Sequence, residues 1–539
     1  MAVREVLSRE ADQAAPEATL VQKVLVLGLT PWGVKAAQSL AGQGLSVLLA
    51  GSAGENFKVE ETDWTAIEAS EMVEVLADYH LAGIKGWPGR FSVLLAGQDP
   101  SRREEVGAVI LAEAPQGEVD WAGLGIEPTA HCLALSQAVG KSAADLDLAA
   151  GEVVPFLLGL GHESNPFSTA QALNLALELS GEGVKVFLLA DNVKVAREGL
   201  DDLYNQARQA GTVTFRLTGL QPKVSQEEGV FKLSFFDDIM GQEETVAAKT
   251  LIVEETFRPG SESKRLADLL GLVGLTDGWL QPNRVMVLPT ETGRVGIHTI
   301  GPNRGSNGWS MPSDEAEAAV LKIKIELALT EAGQPHVTLD KERCAVCLTC
   351  MRVCPHTAVG FDGSWPVFEA VACQACGTCT AECPMDALQL AGYEDETMLG
   401  QVAEAAGKGL VVFICQNSAA KAWQAAEALG LDLPQGLSLI EVPCAGKIDP
   451  LYPLTALAKG ADGVIVAACP AGACHSLEGN TWASLREEML AGMLQQIGLE
   501  TERVSRVEAP ANAPAELARQ LGEAASKIKA LGQNPVKKG

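Results

Sequence analysis

The sequence predicts a multidomain α/β protein in which most strands belong to parallel sheets. Short apolar runs alternate with helical patterns over residues 21–330 and again over 405–535, as they do in repeated βα units. A cysteine-rich segment separates these two stretches, and the full 539 residues suffice for three or four cores. We therefore expect tandem Rossmann-like lobes, a small α+β domain, and a C-terminal doubly wound parallel α/β domain.

The pattern changes define the expected domain boundaries. A mixed-charge, alanine-rich start and a weakly patterned linker at Ala332–Pro335 separate segments of clearer periodicity. The expected units are a flexible tail at 1–20, a dinucleotide-binding-like lobe at 21–150, a second α/β lobe with a return segment at 151–330, the cysteine-rich domain at 336–395, and the last domain at 405–535.

The first half contains two similar strand–helix–strand patterns. The first predicts strands at Lys23–Leu27 and Leu45–Ala50 around a helix at Val34–Ala41. The second predicts strands at Val153–Leu158 and Val184–Ala190, around a helix that Asn165–Pro166 begins and Gly181 ends. Residues 213–255 predict β segments rather than further βα units, at Thr212–Leu217, Val230–Phe236 and Thr250–Val253.

Two cysteine runs of identical spacing occupy the middle domain. Each reads C-x2-C-x2-C-x3-C followed by proline, and a short hairpin is predicted between them, around 362–364. This spacing is typical of bacterial two-cluster ferredoxins, in which the fourth cysteine of each run ligates the other cluster. The expected [4Fe–4S] ligands are Cys344, Cys347, Cys350 and Cys383 for one cluster, and Cys373, Cys376, Cys379 and Cys354 for the other.

Other uses of these cysteines fit the pattern less well. Zinc sites use one or two C-x2-C pairs rather than four-cysteine runs. A disulfide framework suits a small secreted domain, whereas this chain is long and begins without an export signal.

The last domain places four further cysteines near the ends of predicted strands. Strands are predicted at Gly409–Ile414, Leu437–Val442 and Gly463–Ala468. Ligands collect at the carboxyl ends of parallel strands. We therefore expect a four-thiolate [2Fe–2S] cluster, or another iron–sulfur centre, held by Cys415, Cys444, Cys469 and Cys474. The alternatives are four small buried residues, or a Rieske-type site in which His475 replaces one cysteine.

Composition excludes several classes of partner. The net charge of −28 disfavours nucleic acid and anionic membrane surfaces, and no apolar run approaches the 18 residues of a membrane-spanning helix. Twelve of the 13 cysteines lie after residue 340 in ligand-like settings. We expect a reducing cytoplasmic location, with any membrane attachment peripheral and made through partners.

Residues of the last domain resemble the delta subunit of methyl-viologen-reducing hydrogenase. The similar stretches are Pro443–Pro450, Gly460–Val464, Cys469–His475 and Glu478–Asn480. The resemblance implies one [2Fe–2S] cluster that passes electrons between a hydrogenase or formate dehydrogenase and heterodisulfide reductase. The family's first motif is usually richer in cysteine than Cys415–Ser418, which makes Cys415 the least typical ligand.

The preceding part resembles a reduced version of the A subunit of heterodisulfide reductase. The similar stretches are Phe167–Leu173, Leu203–Arg208 and Pro289–Thr292, followed by the ferredoxin-type domain. Similar fusions occur in the B subunit of the quinone-interacting oxidoreductase. Heterodisulfide reductase proteins of this kind bind FAD, so the first βα turn tests whether this chain does.

That turn departs from the dinucleotide-binding pattern. It reads G-x-T-P-W-G, so Gly28 and Gly33 are kept while Thr30 replaces the middle glycine. A Cβ at that position obstructs the approach of a pyrophosphate, and Pro31 removes a backbone N–H. The acidic residue expected about 20 positions later is replaced by Leu49–Ser52. We expect a lobe that keeps its fold and binds FAD weakly or not at all.

These observations predict an electron-relay subunit of an anaerobic oxidoreductase complex, without substrate chemistry of its own. Two [4Fe–4S] clusters and one [2Fe–2S] cluster would connect a hydrogenase- or formate-dehydrogenase-type donor with a heterodisulfide-reductase-like or quinone-linked partner. The alternatives are an FAD-containing, bifurcating oxidoreductase subunit, and a scaffold that its clusters only stabilise.

Overall fold

The structure is a computed structural model. It describes residues 21–53, 57–97, 101–160, 164–195, 199–217, 222–227, 229–237, 240–272, 278–281, 289–305, 310–329, 336–370, 372–407 and 409–538. The predicted tail at 1–20 and the linker at Ala332–Pro335 lie outside these ranges.

The first lobe is a five-stranded parallel sheet with an antiparallel insertion. Its first segment contains β1 (Lys23–Leu29), α1 (Pro31–Gly42), β2 (Ser46–Ala53), α2 (Glu61–Glu68), β3 (Val73–Ala77), β4 (His80–Trp87), β5 (Arg90–Ala96), β6 (Arg102–Val106) and β7 (Ala108–Leu111). Strands β4, β5 and β6 form a separate antiparallel sheet, which the sequence patterns did not predict. Helix α1 begins with a side-chain cap: the Thr30 hydroxyl accepts from the Gly33 N–H, and proline follows the cap.

The second lobe follows the same plan. Its elements are β8 (Gln116–Glu118), β9 (Cys132–Ala134), α3 (Leu135–Ala138), β10 (Val153–Leu158), α4 (Pro166–Gly181), β11 (Lys185–Ala190), α5 (Leu200–Gln209), β12 (Val213–Arg216), β13 (Lys223–Glu227), β14 (Val230–Asp237), β15 (Gln242–Ala248), β16 (Leu251–Val253) and β17 (Thr256–Arg258). The parallel sheet has the order β12–β11–β10–β16–β9.

One sequence expectation in this lobe was wrong. The segment around Thr212–Leu217 was expected to lie outside the βα units, but β12 joins β11 through α5 and pairs with it in parallel. The pattern was missed because α5 has a strongly polar exposed face and buries only Leu200 and Ala207. Only β13, β14 and β15 form the expected antiparallel run.

The chain then returns to the first lobe through α6 (Ser261–Leu270), β18 (Ile297–Thr299) and α7 (Pro312–Leu329). Strand β18 pairs in parallel with β7, which completes the order β18–β7–β1–β2–β3. The first sheet thus includes an edge strand, β18, that comes from the segment 151–330. The second sheet includes β9, which precedes residue 150. Buried residues of α1 and α7 share one core.

The cysteine-rich domain is small and holds little regular structure. It consists of β19 (Val337–Leu339), α8 (Thr349–Arg352), β20 (Val359–Phe361), β21 (Pro366–Phe368), α9 (Thr378–Ala381) and β22 (Leu388–Leu390). Strands β20 and β21 form the predicted hairpin. Strands β19 and β22 pair antiparallel and bring the two ends of the domain together.

The last domain is a doubly wound parallel sheet. Its elements are α10 (Asp395–Ala406), β23 (Leu410–Cys415), α11 (Ala419–Ala428), β24 (Leu437–Val442), α12 (Leu451–Ala458), β25 (Gly463–Ala468), α13 (Gly479–Gln496), β26 (Val504–Glu508) and α14 (Pro514–Ala530). The order is β24–β23–β25–β26, with one core between the sheet and α10, α12 and α13, and another beneath α11 and α14. The predicted α/β class is confirmed.

Candidate metal centres

The two cysteine runs follow matching backbone paths. Three positions in each run have positive φ angles and stand 29 residues apart: Val346, Leu348 and Thr357 in the first, and Ala375, Gly377 and Asp386 in the second. Five of these six residues are not glycine, and such residues rarely adopt this conformation. Backbone strain of this kind concentrates at ligand-holding sites, because the loop must turn repeatedly to aim side chains at one point.

Cysteines from both runs line one small cavity. Its walls include Cys344, Cys347 and Cys350 of the first run together with Cys383 of the second. Burial, and then the neighbouring Cys347, Cys383 and Cys344, raises the pKa of the Cys350 thiol to about 11. The structure thus brings together the four residues expected for the first cluster.

The other four cysteines also lie near one another. Burial raises the pKa of the Cys379 thiol well above its usual value, and the charges of Cys376, Cys354, Cys373 and, less strongly, Cys350 raise it further. Three of these four neighbours are the expected partners of Cys379. Cys350 belongs to the other set, so the two sets lie close to each other.

Backbone amides point at the sulfur atoms. The N–H groups of Ala358 and Ala387 each donate to the cysteine four residues earlier, Cys354 and Cys383, over 3.3 Å. The N–H of Val346 donates to the Cys344 sulfur over 3.4 Å. Hydrogen bonds to sulfur stabilise negative charge there and are one means of setting a cluster's potential.

The four cysteines of the last domain form one buried group. Cys415, Cys444, Cys469 and Cys474 are each at most 3% exposed. The Sγ atoms of Cys415 and Cys469 lie 3.9 Å apart, and those of Cys444 and Cys474 lie 4.0 Å apart. Cys415 ends β23, while the other three follow β24 and β25, so parallel strand ends deliver them to one place. His475 is exposed and does not join the group.

Helix α13 begins against this cysteine group. A Cβ at Gly479, its first residue, would lie 2.1 Å from the Cys444 Sγ and 3.6 Å from the Cys474 Sγ. Glycine is therefore required for the helix to start so close to the sulfur atoms. The sequence showed Gly479 only inside a stretch similar to the delta subunit family.

The cysteine-rich domain packs directly against this centre. Cys376 lies against the four buried cysteines. Burial, and then the neighbouring Cys444, raises the pKa of the Cys376 thiol to about 12. At the same contact a Cβ at Gly377 would lie 2.8 Å from the Lys447 side chain, so this side chain packs on the Gly377 backbone as closely as glycine permits.

A buried ion pair spans this contact, and a second buried cation lies beside it within the last domain. Arg486 of α13 pairs with Glu382 at 2.6 Å and donates to the backbone oxygens of Gly446 and Ile448. Lys447 is fully buried and pairs with Asp395 at 2.9 Å. Nothing in the local pattern around Arg486 marks it, because its partner lies 104 residues away.

The glycine turn of the first lobe does not offer the surface that a dinucleotide needs. The Thr30 hydroxyl donates to the Ala112 oxygen over 2.7 Å and accepts from the Gly33 N–H over 3.3 Å, which engages an amide that would otherwise be available to a phosphate. Gly28 has a φ of 119° and touches the backbone of Ala112, so it serves a tight packing of β1 against β7. These residues do not fit a bound flavin.

The comparisons with known proteins agree with the two resemblances. The family description "Methyl-viologen-reducing hydrogenase, delta subunit" matches residues 410–532. A hydrogenase iron-sulfur protein of Archaeoglobus profundus, the D subunit of its enzyme, is 38% identical over 95 residues, which cover 18% of this chain and 69% of the relative. Through this domain the chain belongs to the delta subunit family.

The earlier part of this delta subunit family member is similar to the A subunit of heterodisulfide reductase. The CoB-CoM heterodisulfide reductase protein of Methanosarcina acetivorans is 24% identical over 351 residues, covering 63% of the chain but 44% of the relative. The corresponding protein of Methanosarcina mazei is 25% identical, with 58% and 40% covered. The chain thus spans less than half the length of these relatives.

Solved structures match part of the chain at low similarity. The T. acidophilum thioredoxin reductase is 15% identical, with a TM-score of 0.36, and the match covers 57% of this chain and 99% of that protein.

Among the helices within the described ranges, none has the length and apolar character required to cross a bilayer.

Proposed function

We propose that the chain is an electron-relay subunit that carries two [4Fe–4S] clusters and one [2Fe–2S] cluster. Relatives of the last domain are iron-sulfur subunits of hydrogenases by name, and those of the earlier part are heterodisulfide reductase subunits. The observation that carries the proposal is the contact of Cys376 with the four buried cysteines of the last domain. Ligands of two proposed clusters are thus nearest neighbours.

The sulfur distances support a particular division of the last four cysteines. Two sulfur ligands on one tetrahedral metal ion, with bonds of ~2.3 Å, lie ~3.8 Å apart. The separations of 3.9 Å and 4.0 Å favour Cys415 with Cys469 on one iron and Cys444 with Cys474 on the other, and Cys469 also lies beside Cys474, as ligands of adjacent irons would. The soft thiolate donors favour an iron–sulfur centre over hard cations such as Mg²⁺.

We infer that the three proposed centres follow one another from the surface inwards. Cys347 of the first cluster set is exposed, whereas all four cysteines of the last domain are buried. The second cluster set lies between them, since Cys379 neighbours Cys350 on one side and Cys376 meets Cys444 on the other. We infer that one partner exchanges electrons at the Cys347 face, and that the other approaches the last domain.

The partners we propose are other oxidoreductase subunits. A hydrogenase- or formate-dehydrogenase-type donor would meet the last domain, and a heterodisulfide-reductase-like or quinone-linked partner would meet the Cys347 face. The direction of electron flow depends on the reduction potentials of the clusters. These potentials are determined by cluster type, hydrogen bonds to sulfur and solvent exposure.

The proposal is tested on full-length protein prepared without oxygen. We expect about ten irons per chain and EPR signals of both cluster types on reduction. Cys469→Ser should remove the [2Fe–2S] signal and keep both [4Fe–4S] signals. Cys132→Ser is the matched control, because Cys132 is a buried cysteine of β9, far in sequence from every proposed ligand.

Three results would contradict the relay. Zinc in place of iron would exclude redox centres, and clusters that no low-potential donor reduces would support a scaffold instead. Loss of all three signals in Cys469→Ser would show that the centres are not separate.

A further inference from the structure

The cleft above the first sheet contains aromatic side chains of the chain itself. Trp32, the second residue of α1, is fully buried, and its indole N–H donates to the Ser310 oxygen over 3.1 Å. Its ring centroid lies 5.4 Å from that of Phe57 and 4.8 Å from that of Phe167. Phe57 in turn stacks on Phe257 at 5.3 Å. We call Trp32, Phe57, Phe167 and Phe257 the aromatic plug.

The plug joins the two lobes. Trp32 follows β1 and Phe57 follows β2, so both come from the carboxyl ends of first-lobe strands, where a dinucleotide would lie. Phe167 comes from the first turn of α4, and Phe257 from β17, both of which belong to the second-lobe segment. Ligands commonly occupy such crevices between domains, but here large rings fill the space.

The returning segment closes the same space from the other side. A Cβ at Gly301 would lie 2.8 Å from the Trp32 ring, so the turn after β18 rests directly on the indole. The Gly301 N–H donates to the Glu315 carboxylate over 2.5 Å, and the Ser310 N–H donates to it over 2.6 Å. Arg304 pairs with that carboxylate as well. Backbone amides that could face a phosphate are therefore engaged by an internal acid.

A second acid occupies the end of β7. The Glu113 Oε1 would lie 3.6 Å from a Cβ at Gly51, and its backbone oxygen accepts from the Asn303 side chain over 2.5 Å. Burial, and then the nearby Glu262, raises the pKa of Glu113 to about 7. A diphosphate beside a buried acid would meet repulsion whenever that acid is ionised.

We infer that the amino-terminal lobe takes up no flavin, and that the aromatic plug replaces a cofactor as the packing between the two lobes. Thr30 and Glu315 accept hydrogen bonds from backbone amides that a phosphate could otherwise use, and an ionised Glu113 would repel a phosphate. This inference concerns the lobe and holds whether or not the proposed relay is correct.

One consequence does rest on the proposed relay. Iron–sulfur clusters pass single electrons, whereas hydride chemistry requires a nicotinamide or flavin cofactor. A chain without flavin cannot divide a two-electron donor's electrons by itself. Any such conversion must therefore take place on a partner subunit before electrons reach this chain.

The test adds FAD in large excess to the full-length, cluster-loaded protein. We expect no saturable binding by calorimetry, no rise of the melting temperature, and far less than one flavin per chain in acid extracts. A stoichiometric flavin content, or saturable binding accompanied by a higher melting temperature, would overturn the inference. Iron content is measured on the same sample, so failure here is distinguishable from failure of the relay.

A variant tests the plug itself. Trp32→Ala should lower the melting temperature by several degrees, because it empties a buried site that three segments share. The matched control is Trp64→Ala, since Trp64 packs on the same core only in part and lies outside the plug. If Trp32→Ala melts like the wild type, or no lower than Trp64→Ala, the plug is not a packing element and the inference fails.

Discussion

The junction between the cysteine-rich domain and the last domain depends on Arg486. This residue is 5% exposed and pairs with Glu382, whose side chain is 24% exposed. Its guanidinium also satisfies two backbone oxygens on the loop that carries Cys444. Replacing Arg486 by Met keeps most of the apolar stem and removes the charge, so the effect reports on the polar contacts.

The expected cost follows from breaking a buried ion pair. Removing one partner of such a pair costs about 3 kcal/mol, because the remaining charge and the orphaned carbonyls lose their ligands. If this cost falls on the docking of the two domains, the ratio of docked to undocked molecules falls by roughly 150-fold, at 1.4 kcal/mol per factor of ten. The second [4Fe–4S] cluster and the [2Fe–2S] cluster would then separate in part of the population.

Two measurements check this expectation. Chemical denaturation of Arg486→Met should show the loss of stability, and EPR should show weaker magnetic coupling between the two clusters at unchanged iron content. A double-mutant cycle with Glu382→Gln should give an interaction energy of about 1–3 kcal/mol. Arg519→Met is the control, because Arg519 is an exposed arginine with carboxylate partners on α14. If Arg486→Met keeps the stability and magnetic coupling of the wild type, or if the double-mutant cycle gives an interaction energy of zero, Arg486 does not hold the two domains together.

Two further changes address single sites. Gly479→Ala should abolish the [2Fe–2S] signal and spare the [4Fe–4S] signals, because the added methyl collides with the Cys444 sulfur; Gly492→Ala, in the same helix with open space around it, should leave all signals intact. Glu113 ionises at about 7 in the folded chain against a usual 4.5, so its contribution of ~3 kcal/mol is present below pH 4.5 and lost as pH rises through 7. Denaturation from pH 4.5 to 8 should show this decline in the wild type, and Glu113→Gln should flatten it; an identical decline in both would exclude Glu113 as its source.

Local sequence signals predicted the elements of the last domain closely. Strands β24 and β25 have the predicted limits, because β25 is an unbroken buried run and four of the six residues of β24 are apolar. Strand β26 was missed, since it reads Val-Ser-Arg-Val-Glu and only two of its five residues are apolar. In the insertion β4–β6, which was also missed, the first four residues of β6 are all charged, because this strand borders solvent.

Cysteine spacing proposed the membership of the two ferredoxin-type ligand sets, since cluster ligation requires sulfur at fixed short intervals, and the ends of predicted strands proposed the third set. The degenerate turn at Thr30 is likewise readable from the chain, because a side chain there is a local obstacle. Distant contacts decided the rest. The approach of Cys376 to Cys444, the Arg486–Glu382 pair and the ring of Trp32 against Phe167 join residues more than 60 positions apart. No periodicity records such pairs, because they exist only once the separate sheets have packed against one another.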